Sequence, residues 1–282
     1  MAEITIKQIK ELREATGIGM KACQKALSEA GGDMELAITN LRKAGMVAAG
    51  KKKDRETNEG MIAAVENNDR VAVVEVNAET DFVVKNDRFN EFIQDIASEV
   101  AETNPASLED FLAQKYSKDG EMTIEEYRAS IVQTIGENIK ISRIMTIPKG
   151  ADRSVGVYSH LGGKMVVTVE IEGDSGEEAL AKDIAMHAAA SSPSFLSRET
   201  VPADVISNEK DIAKDQVIGK PENIIDKIVD GKMNAFYKDN CLVEQPFIKD
   251  EKQSVSDVVA SRAKEKNKEL KVTNFVRWNV GE

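Results

Sequence analysis

The sequence predicts an α+β protein: a small helical head, then two related sheet-plus-helix units, the second interrupted by a helical hairpin. Three observations predict it. Apolar residues recur at helical spacing between Ile4 and Ala44. A pair of β-branched runs broken by turn residues occurs twice, at a constant offset of 95 residues. Each pair is followed by a stretch whose apolar residues line one face of a helix.

The head reads as three short helices. Ile4, Ile6, Ile9 and Leu12 form a stripe that ends at Thr16-Gly17-Ile18-Gly19. A second helix runs from Met20 to Ala30 with Cys23, Ala26 and Leu27 on one face, and Gly31-Gly32 stops it. Asp33 caps a third, whose inward residues are expected to be Leu36, Ala37, Leu41 and Ala44. Gly50-Lys51-Lys52-Lys53 reads as an exposed linker, which closes a first domain at 1–54.

Beyond it, Gly60 to Val76 aligns without gaps on Val155 to Ile171. Asn67-Asn68 and Gly162-Gly163 supply the turns of two hairpins. The helix after the first is striped by Phe89, Phe92, Ile93, Ile96 and Val100, and the helix after the second by Leu180, Ile184, His187 and Ala188. A shared Asp-Ile-Ala, Asp95 to Ala97 and Asp183 to Ala185, aligns at an offset of 88 rather than 95. The first copy is therefore longer by seven residues, and they surround Thr80-Asp81-Phe82-Val83.

Thr123-Ile-Glu-Glu126 is a capping box that opens a helix through Tyr127, Ile131 and Ile135. Ile139 to Ile147 then alternates as a strand. Pro202 and a Gly219-Lys220-Pro221 turn bracket two helices, Ala203 to Val217 and Glu222 to Met233. The second is striped by Ile224, Ile225, Ile228 and Val229, and this mostly polar hairpin is expected to project. A last strand runs through Val272, Asn274, Val276, Trp278 and Val280. The expected core subdomains are 55–147, carrying the 80–83 insertion, and 148–282, carrying the hairpin at about 203–235.

Composition narrows the function. With 282 residues, 41% apolar and 31% charged, the chain reads as globular, and no apolar run is long enough to cross a bilayer. The N-terminus lacks a signal-peptide core, and Cys23 and Cys241 are the only cysteines, which suits a reducing, cytoplasmic setting. A net charge of −11 argues against a general nucleic-acid binder. The charge is uneven: Met1 to Arg55 is net +4, which keeps an RNA- or ribosome-associated interaction module open as an alternative.

Catalytic chemistry is sparse. His160 and His187 are the only histidines, and His187 falls on the inner face of its helix, where a hydrogen-bonded packing role is expected. There is no phosphate-loop motif, and Gly17-Ile18-Gly19 lacks the preceding strand of a dinucleotide fingerprint. Both cysteines fit small packing positions. No enzyme activity, cofactor or metal is expected. Phe82 allows two readings: with Val84 it continues an edge strand into the core, or, on added residues beside Asp81, it anchors a partner.

These residues are also familiar. Lys10 to Leu27, Thr80-Asp81-Phe82-Val83, Ile135-Gly136-Glu137-Asn138-Ile139, Asp183 to His187, Gly219-Lys220-Pro221 and Gln245-Pro246-Phe247 together resemble the elongation factor Ts family, the guanine nucleotide exchange factors of elongation factor Tu. The resemblance covers essentially the whole chain. It implies a ubiquitin-associated-like head, two core subdomains and a protruding helical hairpin, the candidate element for any self-association. It implies binding to elongation factor Tu in its GDP-bound and nucleotide-free forms, with no nucleotide or membrane bound directly. Phe82 would wedge near the partner's magnesium site, with Asp81 fixing the loop and Thr80 and Val83 flanking it. Arg13, Met20, Ile135, Gly136, His160 and Ile248 match further contact positions, His160 facing the partner's third domain. Two departures stand out: Lys21 replaces an apolar residue of some relatives, and the chain stops at Gly281-Glu282, where some relatives continue into a helix.

Overall fold

A computed structural model describes residues 4–217 and 222–282. The head is three helices, α1 (Ile6–Thr16), α2 (Met20–Glu29) and α3 (Met34–Lys52). Thr5 opens α1 with a capping box to Gln8, and Gly17, at φ +69°, closes it in a left-handed conformation that favours glycine. Asp33 caps α3 by accepting the Leu36 N–H. Leu12, Cys23, Leu27 and Ala37 are sealed inside.

Two expectations for the head change. Ile6 is exposed, and the inner face of α3 is Ala37, Leu41, Gly45 and Ala49, so Leu36 and Ala44 face solvent. The inward face lies against a neighbour: a Cβ at Gly45 would come 2.9 Å from Gln133 Oε1 and 3.4 Å from Ala129 O, so α3 packs closely on the helix Ile124–Ile135 here. Gly50-Lys51-Lys52 is no linker either. Ala49 belongs to the apolar core of the following sheet, and α3 stays helical through Lys52.

 Ala49 is only 2% exposed, and Lys51 and Lys52 sit favourably at the negative end of the helix.

The chain divides into two units, residues 1–147 with 162–164 and 279–282, and residues 148–161 with 165–278. In the first, the head is followed by β1 (Glu59–Glu66), β2 (Arg70–Ala78), α4 (Asp81–Val84), α5 (Asp87–Thr103), α6 (Leu108–Ala113), β3 (Lys115–Tyr116), β4 (Asp119–Thr123), α7 (Ile124–Ile135) and β5 (Ile139–Pro148). The sheet order is β1-β2-β5, with β1 and β2 antiparallel and Ala63 opposite Val74. Phe89, Phe92, Ile93, Ile96 and Val100 of α5 are all fully buried in one cluster with Val74 and Val76, as the stripe predicts.

The second unit contains β6 (Arg153–His160), β7 (Met165–Glu172), α8 (Glu178–Ser191), α9 (Ala203–Asp215), α10 (Glu222–Asn240), β8 (Pro246–Phe247), β9 (Asp250–Ser254), α11 (Val255–Lys266) and β10 (Lys271–Asn279). Its sheet order, β6-β7-β10, repeats that of the first unit. The repetition extends past the hairpins. At an offset of 131, Gln114 to Glu126 corresponds to Gln245 to Asp257. Tyr116 pairs with Asp119 and Phe247 with Asp250. Thr123 and Ser254 each open the next helix with a capping box, and Gly136 and Asn267 each end it in the left-handed region.

Both hairpin turns differ from expectation. The first is centred on Asn68-Asp69, because Asn67 N–H donates to Arg70 O at 3.0 Å while Asn67 Oδ1 accepts the Asp69 and Arg70 N–H groups. The second spans Leu161 to Lys164, with positive φ at Leu161, Gly162 and Gly163. In the helical hairpin, Ala213, Val217, Val229 and Met233 form a small core of their own. α10 runs to Asn240 rather than Met233, since Phe236 and Tyr237 extend its apolar stripe. The Gly219-Lys220-Pro221 turn lies outside the described residues.

Gly156 lets β6 and α8 meet backbone to backbone: a Cβ there would lie 2.1 Å from Lys182 N and 2.2 Å from the Ala181 carbonyl carbon. Gly156→Ala is therefore expected to destabilise the protein by about 1–3 kcal/mol. Urea unfolding checks this; an unchanged midpoint would mean that α8 moves aside without cost.

Candidate partner-docking site

Thr80-Asp81-Phe82-Val83 is not an extension of β2. The chain turns at Thr80, whose extended backbone (φ −130°, ψ 155°) and hydroxyl, accepting the Val83 N–H at 3.4 Å, start the single turn α4. Val83 and Val84 enter the core, at 8% and 7% exposure, while Phe82 is 80% exposed. Of the two sequence readings, Val84 follows the inward one and Phe82 the outward one.

The turn is held at several points. Asp81 and Lys85, four residues apart, pair at 2.7 Å, and the Lys85 ammonium holds the Asp81 carboxyl below the usual carboxylate range. Asn86 caps α5 by accepting the Arg88 N–H, and Asn90 Nδ2 donates to Val84 O at 3.3 Å. From the far side, Glu137 accepts the Thr80 N–H at 3.0 Å and the Thr80 hydroxyl at 2.8 Å. Next to it, Glu79 accepts the Asn138 N–H at 2.6 Å. The junction after α7 thus grips the base of α4. The exposed ring of Phe82 thus stands on a turn whose backbone is fixed from both sides.

The remaining sequence candidates lie elsewhere. Arg13 is exposed in the last turn of α1, and Met20 is 42% exposed at the start of α2. Ile135 is half-buried at the end of α7, and Gly136, at φ +95°, terminates that helix beside Glu137. In the second unit, His160 is exposed at the end of β6, its ring 5.9 Å from that of Tyr158. Ile248 is 44% exposed in the β8–β9 turn. Only Thr80 to Val83 and the Ile135-Gly136 junction are joined by direct hydrogen bonds, through Glu137. Sequence reasoning missed Glu137 as a support, and it missed Leu161, which is 73% exposed at φ +50°. An apolar residue directly before Gly162-Gly163 was the available signal for Leu161.

His187 is a packing residue. The Ile248 N–H donates to its Nδ1 at 3.2 Å, so the neutral ring carries its proton on Nε2, 3.0 Å from Gln245 Oε1. Gln245 in turn donates to Asp239 O at 2.7 Å. Burial pushes the His187 pKa down, partly offset by the Gln245 hydrogen bond. Both cysteines are buried and free, and burial raises the Cys241 thiol to about 11.

Among the described residues no cluster of His, Cys, Asp and Glu could hold a metal ion, and no helix is long and apolar enough to cross a membrane. A 410 Å³ cavity beside Ile18, Leu41, Arg42 and Tyr127 offers no nucleophile–base pair; its Asp119 is paired with Arg42 at 2.8 Å. The feature that stands out is the exposed Phe82 ring on its fixed turn.

Comparison with known proteins identifies the family. Residues 79–282 match the family described as Elongation factor TS. Over 282 residues, the full length of both chains, the sequence is 64% identical to elongation factor Ts of Protochlamydia amoebophila. It is 44% identical over 282 residues to that of Chlamydia muridarum and 43% over 281 to that of Chlamydia caviae, again spanning both chains in full. The chain belongs to the elongation factor Ts family. The family's members are translation elongation factors that exchange nucleotide on elongation factor Tu and are not enzymes.

The depressed His187 pKa has a consequence for stability. Between its folded value and the unfolded value of about 6.5, the unfolded chain binds the extra proton, so stability rises with pH across that window. The contribution is complete above about 6.5 and is lost as pH falls. Unfolding midpoints measured from pH 7.5 to 5 are expected to drop more steeply for the wild type than for His187→Gln; parallel profiles would contradict the buried neutral ring.

Proposed function

We propose that this chain accelerates GDP release from elongation factor Tu, and that Phe82 is the wedge that does it. The observation that carries this reading is the combination of an 80% exposed ring with two buried neighbours on a clamped turn. A GTPase holds GDP through magnesium and backbone amides around the phosphates. Inserting the ring of Phe82 near that site, with Asp81, Thr80 and Val83 around it, favours a partner conformation that grips neither ion nor phosphate well. Linkage makes the effect mutual: the factor weakens GDP by the same ratio by which GDP weakens the factor.

The energetics call for more than one contact. Each tenfold loss of nucleotide affinity takes about 1.4 kcal/mol of differential binding. One buried aromatic anchor supplies about 2 kcal/mol or more, so other surfaces share the work. Arg13 and Met20 on the head, Ile135 and Gly136 beside the clamp, and His160 and Ile248 in the second unit are assigned to it. All but the partly buried Ile135 are exposed, which supports that assignment. We place the exchange reaction in the cytoplasm, with neither nucleotide nor metal held by this chain, and assign any self-association to the α9–α10 hairpin.

Stopped-flow release of fluorescent GDP from elongation factor Tu tests the wedge. Phe82→Ala is expected to slow factor-stimulated release by about ten- to a hundredfold. Its thermal midpoint should stay at the wild-type value, because the ring contributes little to the core. Wild-type exchange by a folded Phe82→Ala protein would remove Phe82 from the mechanism.

A further inference from the structure

We propose that Glu137 is a positioning residue for exchange: its carboxylate clasps Thr80 and thereby sets the turn that presents Phe82. The inference rests on the wedge reading of Phe82. Glu137 lies 57 residues beyond Thr80 in the chain, yet its two oxygens divide between the two donors of that residue, Oε2 taking the backbone N–H at 3.0 Å and Oε1 the hydroxyl at 2.8 Å. The second of these bonds has a further effect. A hydroxyl that gives its proton to Glu137 keeps its lone pairs for the Val83 N–H, the bond that caps α4. The clasp therefore orients the cap as well as anchoring it. It is a charge-assisted pair at a half-buried site, stronger than a neutral hydrogen bond and geometrically exact in what it accepts.

The second unit shows what the same junction does without a wedge. There the residue equivalent to Glu137 is Lys268, which donates to Asp174 Oδ1 at 2.5 Å. Gly173 passes so close that a Cβ on it would lie 1.7 Å from Glu269 O. The segment after β7 is thus tied directly to the junction after α11, and the chain proceeds to α8 with no added turn. In both units the segment leaving the second strand is fastened to the residues just past the left-handed cap. Only in the first does the fastening residue offer two acceptors, and only there does it meet a residue with two donors that begins a projecting turn. In the second unit, which carries no projecting turn, the fastening side chain makes a single hydrogen bond. The paired contact fits the task of holding Phe82 still.

GDP release at saturating and sub-saturating factor, measured for Glu137→Ala, Phe82→Ala and the double variant, tests the proposal. Glu137→Ala is expected to lower the maximal release rate roughly tenfold, with the half-saturating concentration changed less than about twofold. Amide hydrogen exchange should quicken across 80–86 while α5 keeps its protection. The double variant should be no slower than Phe82→Ala, since Glu137 acts through that ring. If Glu137→Ala lowers the unfolding midpoint, the isosteric Glu137→Gln carries the same comparison, with one acceptor oxygen in place of two. Wild-type rates for the Glu137 variants beside an impaired Phe82→Ala, or a multiplicative loss in the double variant, overturn this proposal alone. An unimpaired Phe82→Ala overturns the wedge and this proposal with it.

Discussion

One turn of helix cannot bury all of its side chains, because successive residues point about 100° apart around the axis. That constraint governs the site. With Val83 and Val84 committed to the core, the residue before them faces away from it, and here that residue is a phenylalanine. The hydrophobic effect, which ordinarily draws aromatic rings inward, is used at two neighbouring valines to hold one ring outward. The core of the first unit and the presentation of Phe82 are therefore parts of the same packing arrangement.

The two units show how much of this depends on a shared plan. Each has a hairpin, a helix packed on it, a two-stranded ribbon, a capped helix and a third strand. Equivalent pairs recur down to single contacts: Lys118 with Asp95 in the first unit and Lys249 with Asp183 in the second, both at 2.6 Å. Where the side chains differ, the backbone requirement persists. The N–H of the residue after the ribbon's aromatic must be satisfied, and Glu99 accepts it from Ser117 as His187 accepts it from Ile248. A carboxylate and an imidazole do the same job, which is why a buried histidine here has no need of a catalytic explanation. The seven extra residues of the first unit are the departure from the plan, and they contain α4.

Legibility followed the range of the interactions. Capping boxes at Thr5, Thr123 and Ser254 involve residues three apart, and the box at Thr123 was readable directly. The stripe of α5 is strong because its large apolar residues occupy one face only. The stripe of α3 is weak, since Leu36, Ala37, Leu41, Ala44 and Gly45 offer several possible faces, and contact with α7 selects among them. The turn of the first hairpin shifted by one residue because Asn67 both donates its N–H to Arg70 O and takes the Asp69 and Arg70 N–H groups on its side chain. The second half of the repeat was hidden by its chemistry: Tyr116 and Phe247 keep a shape, and Glu99 and His187 keep only an acceptor.

By itself the sequence determined where helices and strands begin, that a hairpin and helix recur, that residues were added after the first hairpin, and which family carries such motifs. These follow from periodicity, capping and local resemblance, all of which act over a few residues. The direction of Phe82 and the meeting of Thr80 with Glu137 belong to the tertiary structure alone. Both arise only when distant segments close around one core, and no spacing within a short window encodes which side of that core a ring will face.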